Sequence, residues 1–282
     1  MMTVREILQY GKHALEDSRN EYAKYESRVL LEEVLGIKYM QMLVNPDASV
    51  SSEAENRYKE MLEKRRQHYP LQYILGYAHF MDYTFIVNEH VLIPRNDTEV
   101  LVETVDQLLN SKSFESRSVS LLDLCCGSGC IGISLKLYHD NVNLALCDIS
   151  KDALEVASRN LKKYQLDAAL LESDLFTNVK EQYSIIVCNP PYIERDVIPT
   201  LMPEVKDYEP MQALDGGVSG LDFYQAILAD VHQYLNRDGY IFFEIGYNQG
   251  QAVSGLMKNA GFCDVCVKKD YAGLDRIVYG HL

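Results

Sequence analysis

LDLCCGSGCIGISL, residues 122–135, decides the fold. It closes the apolar run SVSLLDLCC with a turn carrying Gly127 and Gly129, and a helical pattern follows. Glycines at a strand-to-helix turn let the backbone approach a ligand beside the helix N-terminus. Further along, NLALCDI (143–149), AALLES (168–173), SIIVC (184–188) and YIFFEIG (240–246) read as strands, and CDVCVKK (263–269) and DRIVYG (275–280) end the chain. Helical patterns lie between them at 151–164, 221–235 and 248–260. This alternation predicts a doubly wound α/β sheet with helices on both faces.

Two positions turn that frame into a site. Asp148 lies at the end of the second strand, where a carboxylate accepts hydrogen bonds from both hydroxyls of a ribose. With the glycine turn it predicts a nucleoside-containing cofactor. Gly127-x-Gly129-x-x-Gly132 also has the dinucleotide spacing, so a dehydrogenase enters consideration. Against it stand the long leader before the first strand and the lack of an evident hydride-transfer site. The second position is Asn189-Pro190-Pro191-Tyr192, where the fourth strand stops. Proline donates nothing to a sheet ladder and restricts the residue before it, so the chain leaves in a stiff extended turn. That turn offers the Asn189 amide oxygen, the Pro190 carbonyl and the Tyr192 ring, a set suited to gripping a planar –NH2 group. In an open α/β sheet strands one and four flank the point where ligands bind.

Outward from this core, residues 1–77 read as a helical domain. Val4, Ile7, Leu8, Ala14 and Leu15 form one apolar stripe, and Val29, Leu30, Val34 and Leu35 another, closed by Gly36. Ser51-Ser52 starts a charged helix that Tyr69-Pro70 ends. Residues 78–94 change to period two and suggest a hairpin linker turning at Asn88-Glu89-His90. Residues 95–282 form the larger domain, with Asn96 or Asp97 as the cap of its first helix. Residues 193–220, with Pro199, Pro203, Pro210 and Gly216-Gly217, read as a lid or binding loop.

Bulk properties narrow the classes. At 282 residues and 47% hydrophobic content the chain can build a sizeable core. No run approaches a membrane span and the N-terminus lacks a signal-peptide core, which predicts a cytoplasmic protein without membrane contact. The net charge of −14 argues against a protein that grips nucleic acid through phosphates. The seven cysteines are an odd number, with Cys125, Cys147, Cys188 and Cys266 in or beside apolar runs, where thiols act as small hydrophobes. Cys263-x-x-Cys266 has no matching second pair, so no metal is expected.

The Asn-Pro-Pro-Tyr turn resembles that of amino-group methyltransferases that use S-adenosylmethionine. Nearly the whole chain is similar to the HemK/PrmC family of protein-(glutamine-N5) methyltransferases, which modify class-I peptide chain release factors. SRVLLEEVLG (27–36), PLQYILGYAHF (70–80), VLIPRNDTEVLVE (91–103), LDLCCGSGCIGISL (122–135), SDLF (173–176), NPPYI (189–193), YEPMQALDGGVSGLDFY (208–224) and EIGYNQG (244–250) carry the resemblance. It implies a Rossmann-like S-adenosylmethionine-dependent methyltransferase sheet with a small helical substrate-recognition domain joined by a β-hairpin.

On that resemblance, Asp123, Cys125, Cys126, Gly127, Ser128 and Gly129 cradle the methionine part of the cofactor and Asp148 holds its ribose. Ile149 and Leu175 flank the adenine, Asp174 either accepts from its amino group or caps a helix, and Arg95 and Thr98 close the methionine end. Asn189, Pro190, Pro191, Tyr192 and Glu244 hold the substrate amide, with Asn189, Pro190 and Tyr192 acting in catalysis and Asn189 also facing the cofactor. Apart from the resemblance, Glu204, Asp207 and Glu209 can be read as catalytic carboxylates, with a solvated acidic lid the preferred reading. The product is S-adenosylhomocysteine, the partner is a release factor bearing a Gly-Gly-Gln loop, and the enzyme is expected to be a monomer. Cys125 stands where relatives carry glycine, so the loop either shifts or lacks positive φ there. Leu175 stands where relatives often have tryptophan, with Phe176 as a substitute wall. An exocyclic base amine methyltransferase and a non-catalytic cofactor-binding module are the rival readings.

Overall fold

The computed structural model describes residues 1–18, 20–112, 114 and 117–282. It divides into two compact units, Met1–Gly76 with Met202–Tyr208, and Tyr77–Leu201 with Glu209–Leu282.

In the first unit, helices span Val4–Glu16, Ala23–Leu35, Tyr39–Val44, Ser52–Arg66 and Leu71–Leu75. Their ends follow from sequence. The Thr3 hydroxyl accepts from the Glu6 N–H while the Glu6 carboxylate accepts from the Thr3 N–H, a reciprocal cap. Ser51 caps the fourth helix, and Gly36, at φ 65, ends the second in the left-handed conformation that glycine adopts freely. Ile7, Leu15, Leu30, Leu31, Tyr58 and Leu62 fill the core, and the Tyr58 hydroxyl donates to the Ser27 carbonyl at 2.9 Å. The segment 202–208 joins this unit through a buried cation. Arg65, 6% exposed, donates to Glu26 at 2.6 Å and to Glu204 at 2.8 Å.

The second unit opens with a hairpin of β1 (Tyr77–Phe80) and β2 (Tyr83–Ile86). Its turn is at Met81-Asp82, not at the expected Asn88-Glu89-His90. Met81 takes φ 52 and its N–H donates to Glu99 at 2.7 Å, so a side chain on the following helix fixes a turn that no glycine announces. Residues 88–94 run on without a strand.

The main sheet is built from β3 (Val119–Leu124), β4 (Val142–Asp148), β5 (Ala169–Glu172), β6 (Tyr183–Cys188), β7 (Leu235–Glu244), β8 (Cys263–Lys269) and β9 (Asp275–His281). Among the described residues their order is β5-β4-β3-β6-β7-β9-β8, with the first five parallel and β9 antiparallel to β7 and β8. Parallel strands covered on both faces need apolar side chains on both, which is why Leu121, Leu122, Leu124 and the run Ile185–Cys188 are continuous. One face packs Leu121, Ile185 and Val187 against helices Asn96–Leu109, Cys130–Tyr138 and Lys151–Lys163. The other packs Leu122, Ile186 and Phe243 against helices Asp222–Asp230 and Gly250–Asn259. Cys266 lies exposed with Cys263 on the edge strand β8, outside the apolar setting expected for it.

From β3 the chain builds toward β5, then crosses to lay β6 on the other side of β3. The crevice outside the carboxyl ends of β3 and β6 is the reversal point where such sheets bind ligands.

Candidate active site

The loop leaving β3 is held open by backbone conformation. Gly127 has φ 53 and Gly129 φ 76, and Cys125 keeps φ 60 although it carries a side chain. The loop therefore neither shifts away from nor gives up the positive φ there; a left-handed L-residue costs about 1–2 kcal/mol, which the surroundings sustain. Gly132 serves packing instead. A Cβ on it would sit 2.7 Å from Leu144 and 3.0 Å from the Asp123 Cβ, so the helix lies directly on the sheet.

Asp123 and Asp148 tie this loop down. Asp123 is fully buried, its Oδ2 accepting from the Gly132 N–H at 2.8 Å and its Oδ1 unpartnered among the described residues. Burial, with Asp148 nearby, pushes its pKa up to about 7. Asp148 accepts from the Gly127 N–H at 2.8 Å and the Ser150 N–H at 2.9 Å. Burial raises its pKa, and those N–H groups oppose the rise. Asn160 donates to the Ser128 carbonyl at 2.9 Å and exchanges bonds with Ile86, joining loop to hairpin.

A cleft of about 180 Å³ opens over the loop. Of the residues expected around the cofactor, Arg95, Thr98, Cys125, Cys126, Gly127 and Ser128 line it. So do Asp148, Ile149, Asp174, Leu175 and Asn189. Asp123 lies beneath the floor, and Gly129 is at the start of the helix behind it. Leu175 reaches the cleft from φ 45, but Phe176 does not; it is 3% exposed and stacks on Tyr234 at 4.5 Å. Ile149 and Leu175 are thus the apolar walls at that end.

The Asn189–Tyr192 turn forms the facing wall. Pro191 lines the cleft with Asn189, whereas Pro190 is buried. The Asn189 amide has no hydrogen-bond partner among the described residues. Tyr192 points away from the cleft, donating its hydroxyl to Glu244 Oε1 at 3.1 Å. Glu244 is 1% exposed at the end of β7; burial raises its pKa, opposed by the Thr98 hydroxyl and the Arg276 charge. The loop expected as a lid also braces this turn. The Ile193 N–H donates to the Leu214 carbonyl and the Gly216 N–H to the Ile193 carbonyl. A Cβ at Gly216 would fall 2.6 Å from the Tyr192 Cα. Gln249 donates to the carbonyls of Tyr192 and Gly220 at 3.0 and 3.1 Å.

Two participants were not assigned from sequence. The sequence groups Glu209 with solvated acids, yet its side chain is 1% exposed and accepts from Arg95 at 2.5 Å. Burial raises its pKa against the pull of that guanidinium. Gln249 belongs to the EIGYNQG stretch but carries no signal of the backbone it supports. Glu204 pairs with Arg65 in the first unit. Among the described residues no three His, Cys, Asp or Glu side chains converge as a metal site, and no helix is long and apolar enough to cross a membrane.

Comparison with known proteins places this geometry in a family. The model of the PrmC N-terminal domain matches residues 6–76, and that of the methyltransferase small domain matches residues 96–202. The release factor glutamine methyltransferase of Clostridium botulinum is 38% identical over 98% of both chains. That of Geobacter sulfurreducens is 35% identical over 99% of this chain and 97% of its own. Among solved structures, the hMettl16 catalytic domain in complex with MAT2A 3′UTR hairpin 6 has a TM-score of 0.57 at 13% identity, covering 82% of each chain, which supports the fold alone. With relatives this similar along its whole length, the chain belongs to the release factor glutamine methyltransferase family.

Proposed function

We propose that this protein transfers a methyl group from S-adenosylmethionine to the side-chain amide nitrogen of the glutamine in the Gly-Gly-Gln loop of class-I peptide chain release factors, giving N5-methylglutamine and S-adenosylhomocysteine. The observation that carries the reading is the unpaired Asn189 amide in the wall of a cleft floored by the Cys125–Gly129 loop. The cleft's chemistry fits the cofactor. Asp148 keeps spare carboxylate lone pairs for ribose hydroxyls, Ile149 and Leu175 offer apolar faces for adenine with Asp174 beside them, and the loop suits the methionine part. Arg95 and Thr98 stand at the remaining wall, with the Arg95 guanidinium positioned for the cofactor's carboxylate.

Bound there, the cofactor supplies an electrophilic sulfonium methyl. An amide nitrogen is a weak nucleophile because its lone pair is delocalised into the carbonyl. Asn189 Oδ1 and the Pro190 carbonyl accept its two hydrogens, fix the –NH2 and favour partial pyramidalisation, so that the lone pair faces the methyl. Such orientation is worth at best about 7–11 kcal/mol. The same acceptors stabilise the positive charge that develops on nitrogen. Pro191 limits the turn's freedom, and the Tyr192 hydroxyl bond to Glu244 anchors the turn from behind, so Tyr192 braces the turn instead of forming the flat wall expected of it. The protein works as a soluble cytoplasmic monomer, residues 1–77 recognise the release factor, and 78–94 link them to the catalytic residues 95–282.

The reading is tested by supplying labelled S-adenosylmethionine with release factor, duplex DNA or RNA. Label is expected on the release factor glutamine. Label on DNA or RNA alone would overturn the substrate, and cofactor binding with no label on any acceptor would reduce the protein to a binding module.

A further inference from the structure

Five of the seven cysteines gather where the strands end. Cys125 and Cys126 follow β3, Cys130 opens the next helix, Cys147 lies in β4 and Cys188 ends β6. In the sheet register Leu124 pairs with Cys147 on one side and with Cys188 on the other. Cys125 is the next residue along, lining the cleft at φ 60. It is half-buried, Cys188 is fully buried, and Cys125 packs against the apolar cluster that holds Cys188. Neighbouring strands lie about 4.7–4.9 Å apart, which places a one-residue diagonal within the about 4.4–6.8 Å between α-carbons that a disulfide spans. Cys147 is engaged elsewhere, donating to the Leu175 carbonyl at 3.5 Å.

We propose that Cys125 and Cys188 are a thiol pair in the cleft wall that small hydroperoxides oxidise to a disulfide when no cofactor covers Cys125. In the first step the Cys125 sulfur attacks the terminal peroxide oxygen. The O–O bond breaks, Cys125 becomes a sulfenic acid, and its proton leaves with the departing alkoxide as an alcohol (water, for hydrogen peroxide). In the second step the Cys188 sulfur attacks the Cys125 sulfur. An S–S bond forms, the S–O bond breaks, and hydroxide leaves with the Cys188 proton as water. Two thiols lose two electrons, and one hydroperoxide is reduced. The order follows from access. Cys125 faces the cleft, whereas Cys188 faces the apolar core and burial holds it protonated, so it resolves rather than initiates. Cys188 directly precedes Asn189, so the bond ties the cofactor loop to the substrate turn. The shielding rests on the cofactor reading above; the linkage itself does not.

Reduced full-length protein would be treated with hydrogen peroxide, blocked with a maleimide and mapped as peptides without reduction. A Cys125–Cys188 linked peptide is expected, formed at least about tenfold more slowly under saturating S-adenosylhomocysteine and reversed by dithiothreitol. Cys188→Ala should retain methyl transfer while losing the dithiothreitol-reversible inactivation. A Cys125–Cys147 linkage, or overoxidation of Cys125 without any linkage, would overturn the pairing. An unchanged rate with S-adenosylhomocysteine shown to be bound would overturn the shielding. Failure of S-adenosylhomocysteine to bind at all would count against the cofactor reading instead, with the linked peptide still deciding the pair.

Discussion

Asn189 and Asp123 are both polar residues at strand ends, one open and one sealed. The Asn189 amide faces the cleft with no partner among the described residues, so removing it costs the fold little. Asn189→Ala is expected to lower kcat by at least about 100-fold, the scale of losing one transition-state acceptor, while cofactor affinity measured by calorimetry stays within about threefold. Turnover near wild type would sink the orientation model. Asp123 is sealed beneath the loop with its pKa raised to about 7 by burial, against roughly 3.9 when unfolded. Between those values the folded state keeps a proton that the unfolded state has released. The stability this adds is complete below about pH 4 and is lost as pH rises through 7. Asn at this position cannot ionise and still accepts from the Gly132 N–H. Urea unfolding from pH 4 to 8 should therefore show Asp123→Asn gaining on wild type as pH rises, by an order of magnitude of a few kcal/mol. A difference that stays flat across that range would mean Asp123 is charged throughout.

Secondary elements were legible where burial dictates their pattern. Strands β3, β4 and β6 are apolar on both faces because helices cover both, and the glycine turn and Asp148 fall at their ends, whereas the edge strand β5 is exposed. The hairpin turn is not legible because it uses Met81 at φ 52, held by Glu99, with Asp82 as its one turn-favouring residue and no glycine. The loop 193–220 was legible as a long irregular segment, but not as a brace. Its support comes from backbone contacts, Gly216 against Tyr192 and Gln249 bridging Tyr192 and Gly220, and side-chain patterns do not record those. This gives a prediction for the element. Gly216→Ala puts a Cβ 2.6 Å from the Tyr192 Cα, so one backbone must move. Because the turn and not the cofactor loop is displaced, kcat should fall at least about tenfold, since small misplacements are costly in a preorganised site. S-adenosylhomocysteine affinity should hold within about threefold. Loss of both together would mean the brace supports the whole cleft.

At the scale of the molecule, each compact unit draws on two separate stretches of chain. Residues 202–208 leave the loop of the catalytic unit to complete the helical one, then return. Sequence could not announce this: Arg65 and Glu204 are 139 residues apart, and Glu204 reads as one more surface acid in a chain of net charge −14. Arg65 decides how firmly the segment is held. Its guanidinium is 6% exposed and serves both Glu26, with a side chain 9% exposed, and Glu204, with one 22% exposed. Removing the cation leaves the buried Glu26 charge with only the neutral Asn20 amide as a donor, whereas removing the Glu204 charge leaves Arg65 paired with Glu26. Arg65→Ala should destabilise the helical unit by about 3–5 kcal/mol, the cost of an uncompensated buried charge. Glu204→Gln should cost about 1 kcal/mol or less, as for a pair partly open to solvent. Chemical denaturation gives the two values, and proteolysis at Lys206 under native conditions reports the segment directly. Cleavage should accelerate in both variants, far more in Arg65→Ala. Equal losses of stability would show that Glu26 finds water or another partner once Arg65 is gone, and that the buried cation is not what closes the unit.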